Sequence, residues 1–320
     1  MIDRRTLLAG CAALPLTHEV LAQSGPVTRI VFPFAAGGSG DLICRVLAEH
    51  LRQPLDRAVI VENRTGGDGL IGIKAVMTAP PDGTTILITT GPTMYLLPMV
   101  ETRPSFDQAR DFVPVSLLGR YEFCIATGPA TDAKDFRQLV AWLKANPAKS
   151  SFGVPSNGTI PHFTGSRLEQ ILAVPMTRVP YRGGAPIVKD LIGGHLPFAV
   201  ITLADALTQH QAGTVRVLTV SSAARSPFLP DVPTLRENGI DLVADAWYGM
   251  WLPAGSSPEF AKRLSATVAA VLAKPDVREK LLAVGLIPVG TTPEGLTQEL
   301  AANTAFWQPI VKATGYRITD

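Results

Sequence analysis

Short apolar runs alternate along the chain with amphipathic stretches, and the connections between them are brief. Arg29 to Phe34 reads as a strand, and Asp41 to Gln53 follows as a helix with Leu42, Ile43, Val46, Leu47 and Leu51 on one face. Ala58 to Val61 is a second buried strand, Ile71 to Ala79 a short helix stopped by Pro80-Pro81, and Thr85 to Thr90 a third strand. Pro114 to Leu118 and Glu122 to Thr127 are two further strands, followed by a helix over Asp135 to Ala145. Strands at Ser151 to Val154, Arg178 to Pro180, Pro197 to Ile201 and Arg216 to Val220 then alternate with helices at Ile160 to Leu172, Ala185 to Ile192 and Ala204 to Gln211. Trp247 to Leu252 is extended again, and Pro258 to Lys274, Pro275 to Val284 and Thr292 to Thr314 are helical. This alternation predicts α/β lobes with largely parallel sheets. The second run is inserted into the first, so residues 26–123 with 248–320 form one lobe and 124–247 the other. Two crossings, near Tyr121 to Thr127 and Asp245 to Leu252, would serve as a hinge.

The first residues do not fit this pattern. Arg4-Arg5 precede an apolar stretch from Thr6 to Leu16 that is too short to span a bilayer, and Val20-Leu21-Ala22 offers a cleavage point before Gln23. These are the marks of an export leader removed near Ala22, with a twin-arginine and an ordinary secretory signal equally compatible. Leu8-Ala9-Gly10-Cys11 also spells a lipid-attachment box, although only Thr6 to Gly10 separate Arg5 from Cys11. The expected location is the periplasm.

Composition narrows the class. With 320 residues, 46% of them hydrophobic, there is ample apolar surface for two cores. Net charge is +2, from 29 Lys+Arg and 27 Asp+Glu in scattered positions, which argues against a nucleic-acid surface. Cys44 falls in an expected helix and Cys124 in an expected strand, so both read as buried thiols, and their spacing does not say whether they pair. The five histidines, His18, His50, His162, His195 and His210, show no metal-ligand spacing. No cofactor is implied.

The most informative stretch is Pro33-Phe34-Ala35-Ala36-Gly37-Gly38-Ser39-Gly40-Asp41, where a strand ends, a glycine-rich loop turns and a helix begins. Unpaired N–H groups and partial positive charge at a helix start make a cradle for a carboxylate or phosphate. A plain strand-to-helix turn with Asp41 as cap fits the same residues. Gly67-Asp68-Gly69-Leu70-Ile71-Gly72 matches the dinucleotide fingerprint, but the strand before it ends several residues early. The next strand closes on Thr89-Thr90, where a ribose-binding acid would be needed. A hydrolase with Ser39 as nucleophile and His162 as base lacks the nucleophile elbow and an orienting acid.

Val61-Glu62-Asn63-Arg64-Thr65-Gly66-Gly67-Asp68-Gly69-Leu70-Ile71-Gly72 and Pro81-Asp82-Gly83-Thr84-Thr85 together resemble the Bug (TctC-type) family, the extracytoplasmic substrate-binding receptors of tripartite tricarboxylate transporters. The resemblance runs on through Asp111 to Val115, Asn157-Gly158-Thr159 with His162, and Val179 to Pro186. It continues in Asp190 to His195, Arg225 to Pro227, Leu229 to Thr234 and Leu252 to Gly255. It implies a two-lobed periplasmic-binding-protein architecture with a ligand cleft between the lobes and two crossing strands as hinge. It also implies a small-molecule carboxylate as ligand, membrane transporter subunits as partners, a monomer, and no enzymatic activity. The carboxylate-holding positions correspond to Phe34, Ala36, Gly37 and Gly38 with neighbouring Ser39, to Thr90, Gly91 and Thr93, and to Ser156, Asn157, Gly158 and Thr159. His162, Tyr181, Ile201 and Thr202 are further candidates.

Two departures from the family pattern stand out. Ala36 and Gly40 replace the usual Pro and Thr of the first loop. In Leu196 to Thr202, Ile201 stands where many members carry an acid that faces the cleft. An isoleucine there suits a ligand without an amino group and with apolar or aromatic character, unless Ile201 points into the core instead. A receptor of this kind could equally feed a periplasmic sensor domain, and no residue separates the two.

Overall fold

A computed structural model of the chain describes residues 26–318. The leader, its cleavage point near Ala22 and Cys11 lie outside the described residues. The first part comprises β1 (Thr28–Phe32), α1 (Ser39–Leu55), β2 (Val59–Asn63), α2 (Leu70–Met77), β3 (Thr85–Thr90), α3 (Gly91–Val100), the one-turn α4 (Gln108–Asp111) and β4 (Phe112–Thr127). Then come α5 (Phe136–Ala145), β5 (Ser151–Val154), α6 (Ile160–Leu172), β6 (Thr177–Pro180), α7 (Gly184–Ile192), β7 (Phe198–Thr202), α8 (Leu203–Gln211) and β8 (Arg216–Val220). The chain ends with β9 (Asp245–Pro253), α9 (Pro258–Leu272), α10 (Pro275–Leu282), β10 (Ile287–Pro288) and α11 (Pro293–Thr314).

The strands follow the order β2-β1-β3-β9-β4-β7-β5-β6, with β8 and β10 also paired to β4. β1 is parallel to β2 and β3, and β5 is parallel to β6 and β7. Every antiparallel pair involves β4 or β9, the strands that cross between the lobes. The sheet is therefore parallel within each lobe and antiparallel along the seam. The fold is the expected two-lobed α/β architecture.

Each half is covered by helices on both faces, as the two-residue period of its strands requires. Ile30 and Phe32 of β1 pack with α1, α9 and α10, whereas Val31 faces α2, α3 and α11. In the other half Ile125, Phe152 and Val200 pack with α5 and α6, while Cys124, Ala126 and Ile201 face α7 and α8. Fully withdrawing an aliphatic side chain of this size contributes about 1.5–3 kcal/mol before conformational entropy is subtracted. The C-terminal helix serves both halves, since Ile310 touches cores of each.

Besides the short α4 and β10, two elements differ from the pattern-based expectation. The strands expected at Pro114 to Leu118 and Glu122 to Thr127 are one strand, β4, which runs on through Gly119, where a Cβ would be only 3.0 Å from the Ile287 carbonyl oxygen. Register shifts on either side of Ser116 absorb Pro114, which has no N–H to give. Helix α3 escapes the pattern because its apolar residues surround it almost completely, so no period stands out, and because it contains Pro92 and Pro98. Its start is nevertheless well marked by Thr90 as N-cap, whose Oγ1 accepts from the Thr93 N–H, and by Pro92 in the first turn.

Cys44 and Cys124 are free, buried, and belong to different cores. Burial raises both thiols well above their ordinary pKa and suppresses the thiolate. For Cys124, desolvation is reinforced by the negative fields of Asp205 and Glu122. Neither thiol of the folded protein is therefore expected to react with a disulfide reagent such as Ellman's reagent within minutes, and both should react once the chain is unfolded in guanidinium. Rapid reaction of either thiol under native conditions would contradict the placement of the two cores.

Candidate ligand-binding site

The carboxyl ends of β3 and β7, together with the loop that follows β5, open onto one cavity of about 320 Å³, of a size suited to a small organic molecule. Three of the threonines on its wall are helix N-caps: Thr90 for α3, Thr159 for α6 and Thr202 for α8. The helices thus direct the positive ends of their dipoles, and their unpaired first-turn amides, toward the same space. Thr90 Oγ1 lies 2.7 Å from Thr93 Oγ1, Thr159 Oγ1 donates to the Ser156 carbonyl at 2.9 Å, and Thr202 Oγ1 donates to Asp205 at 2.5 Å. The opposite chemistry comes from Leu96, Leu97 and Val100 of α3, with Phe123, Ile160, Pro161 and Ile318. Polar caps and apolar side chains thus line the same cavity.

Of the residues expected from the sequence, Phe34, Thr90, Thr93, Ser156, Asn157, Gly158, Thr159 and Thr202 line this cavity. Ala36, Gly37 and Gly38 sit beside it on an exposed loop and are not part of its wall; a Cβ on Gly37 or Gly38 would meet no atom within 4 Å. Ser39 is likewise outside the wall, 3.3 Å from the Tyr248 hydroxyl. Helix α1 begins at Ser39, so Asp41 lies in its first turn instead of at the cap. Its carboxylate accepts from the Gly37 N–H, from Arg45 and from Asn63 Nδ2, which also donates to the Phe34 carbonyl. Burial alone would raise the Asp41 pKa, but these hydrogen bonds outweigh it and leave the carboxyl below its ordinary value. Asp41 thereby fixes the glycine-rich loop with a charge that is already satisfied.

Four further candidates do not reach the cavity. Ile201 is fully buried in the core under α7 and α8, because residues at this end of β7 alternate and Thr202, not Ile201, faces the cleft. It cannot shape the ligand, and the inference against an amino group falls with it. Gly91 is pressed against the Trp247 ring, which leaves no space for a Cβ. Tyr181 donates its hydroxyl to Asp190 at 2.6 Å and packs on the core of its own half. His162 is fully buried and accepts the Gly158 N–H on Nδ1 at 3.0 Å, so it holds the 156–159 loop in place from behind.

The cavity also contains residues that the sequence reading does not place there: Asp68, Leu96, Leu97, Val100, Tyr121, Phe123, Pro155, Ile160, Pro161 and Ile318. Several of these lie on α3, the helix concealed by its uniform apolarity, and Asp68 belongs to the segment that matches a dinucleotide fingerprint. In the structure β2 ends at Asn63, and a loop separates it from the short turn Gly67–Gly69 that leads into α2. The glycine turn of a dinucleotide site joins strand and helix directly, which this one does not. Among the described residues no group of three or more His, Cys, Asp or Glu side chains is placed to hold a metal ion.

The tripartite tricarboxylate transporter family receptor profile (TctC) matches residues 43–316. The chain belongs to this family. Its members are substrate-binding receptors of the periplasmic-binding-protein type. A relative from Pseudomonas sp. strain P51, described as a UPF0065 protein in the tcbD-tcbE intergenic region, is 33% identical over 321 residues, covering 97% of this chain and 94% of the relative. The structure of R. palustris Rpa4515 with adipate superposes with a TM-score of 0.80 at 28% identity, over 91% of this chain and 97% of that one. The periplasmic binding protein BugD gives a TM-score of 0.76 at 30% identity, over 91% of this chain and 98% of that one. No helix among the described residues is long and apolar enough to cross a membrane.

The histidine behind the loop gives this receptor a pH signature. Burial and the adjacent Arg178 guanidinium lower the His162 pKa to about 4, from an ordinary value of 6.5. The unfolded chain takes up a proton below pH 6.5 that the folded chain refuses. The stabilising contribution is complete above pH 6.5 and is lost progressively as pH falls toward 4. Urea unfolding across this interval should show a decline that is shallower in His162→Gln, and identical slopes for the two proteins would contradict the assignment.

Proposed function

We propose that this receptor captures a small organic carboxylate in the cavity between its lobes, closes around it, and delivers it to the membrane subunits of a tripartite tricarboxylate transporter. The observation that carries this reading is the convergence of three N-cap threonines, Thr90 from one half and Thr159 and Thr202 from the other, on a single cavity with an apolar wall. An anion placed there is met by helix termini from both halves, and the Thr159 and Thr202 hydroxyls reach it by turning from the Ser156 carbonyl and the Asp205 carboxylate to which they donate in the unliganded chain, so closure adds contacts and the closed state gains population by that difference in affinity. The adipate held by Rpa4515 supports a carboxylate as the ligand class.

The lobes in this reading are residues 26–123 with 248–320 and residues 124–247, moving about the paired crossings at Glu122 and Asp245. The chain acts as a monomer in the periplasm after removal of a leader near Ala22, and binding needs no cofactor or chemical step. A micromolar ligand corresponds to about −8 kcal/mol of net binding free energy, after the costs of immobilisation and closure.

Calorimetry with a panel of organic acids tests the reading. At least one acid is expected to bind, and Thr159→Val and Thr202→Val should each weaken it by about tenfold to a hundredfold, the range for losing one hydrogen bond to a charged group. Unfolding midpoints without ligand should move little. Full affinity in both variants would place the anion elsewhere.

A further inference from the structure

A run of five aromatic rings borders the cavity. Centroid to centroid, Phe34 lies 5.4 Å from Phe32, Phe32 6.2 Å from Tyr248, Tyr248 5.1 Å from Tyr121, and Tyr121 5.7 Å from Phe123. These are separations at which aromatic pairs attract. Phe34, Tyr121 and Phe123 stand on the cavity wall, while Phe32 and Tyr248 are buried in the adjoining core. The run needs glycine at position 40, because a Cβ there would stand 2.4 Å from the Phe32 ring and 2.6 Å from that of Tyr248. The Tyr248 hydroxyl is in turn 3.3 Å from that of Ser39. Packing thus sets the wall rings in place before any ligand arrives, so binding against them costs little ordering.

Each wall ring has a polar group beside it. Phe123 is the strand partner of Thr202, and residues opposed in an antiparallel pair project to the same face. A Cβ on Gly69 would meet Thr93 at 3.5 Å and Phe34 at 3.6 Å, so these two are neighbours. Burial raises the Tyr121 phenol well above its ordinary pKa, against the opposing effect of a hydrogen bond with Thr90, and the phenol keeps its proton. Thr90 is therefore flanked by two hydroxyls, those of Tyr121 and Thr93. Three hydroxyls in a row carry three protons and share at most two hydrogen bonds, which leaves one proton to give to an anion. Anion-binding and aromatic groups interleave along the wall, and a ligand that meets both at once has its carboxylate next to its ring.

We propose that Tyr121 contacts the ligand and, with Phe34 and Phe123, selects carboxylates borne directly on an aromatic ring over aliphatic acids of the same size. The proposal rests on the carboxylate reading above and adds what the wall prefers beside the charge. A flat ring set against rings already held in place gains the edge or face contact that aromatic pairs make beyond the area they bury, and a saturated ring of equal bulk does not. The cavity, about 320 Å³, admits a molecule of this kind.

Benzoate and cyclohexanecarboxylate have the same carbon skeleton and charge and differ in the ring alone. Calorimetry on the whole protein is expected to show benzoate binding about twofold to tenfold more tightly, the range that one aromatic pair supplies. Tyr121→Leu should erase that preference, and Tyr121→Phe, which keeps the ring, should retain it. Phe34→Leu changes a residue on a loop and should narrow the preference with little change in the unfolding midpoint, which gives a second reading if Tyr121→Leu fails to fold. Equal binding of the two acids by the unmodified protein, binding of other acids but of neither of these, or a preference that survives both leucine variants would overturn the aromatic selectivity and leave the carboxylate reading intact. Failure of every acid in a broader panel to bind would overturn both.

Discussion

A single strand shared by two hydrophobic cores is the constraint on which the rest of the structure depends. β4 has sixteen residues; from Phe112 to Glu122 it pairs with β9, and from Phe123 to Thr127 with β7 and β8. The changeover falls where Glu122 faces Asp245 across the two crossing strands. Arg120 spans this point, bonding Asp245 at 3.1 Å and Glu299 of α11 at 2.6 Å. Burial raises the Glu122 and Asp245 carboxyls above their ordinary values, and the Arg120 charge opposes the rise at Asp245. With the strands fixed in this way, the ends of β3 and β7 must lie near each other, and the caps of α3 and α8 face one cavity.

No Lys, Arg or His stands on the cavity wall among the described residues, so in the proposed role an anion is met without a cation. A guanidinium would hold a carboxylate strongly and in fixed geometry. Helix termini and hydroxyls offer smaller, distributed contributions, each typically below about 2 kcal/mol for the dipole part. Such a site suits a receptor that must release what it binds. The support behind it is correspondingly elaborate: Asp41 and Asn63 fix the first loop, and His162 fixes the loop at Gly158.

Much of this was legible in the sequence because the alternation of strand and helix periods, the caps and the long C-terminal helix are local properties. The polar half of the cavity was legible too, since Thr90, Thr159 and Thr202 stand at strand-to-helix junctions that any α/β reading picks out. What was not legible depended on side-chain direction or on burial. Ile201 and Thr202 are neighbours, and a one-residue difference decides which of them faces the cleft. Helix α3 had no polar face to reveal its period, so the apolar wall was invisible along with it. Asp68 was hidden within a motif that suggested a different ligand altogether.

The order of strands has a further consequence for how the molecule is made. β9 lies between β3 and β4 in the sheet, but it is synthesised after the whole segment from Phe123 to Ala244. Until it emerges, β3 and β4 each leave an edge that only β9 can fill, and exposed strand edges invite pairing with other chains. The inserted half, by contrast, has β5, β6, β7 and β8 in hand as soon as residue 220 is out, with β4 already made. Assembly is therefore expected to be cooperative and late, with the first lobe completed only after the second.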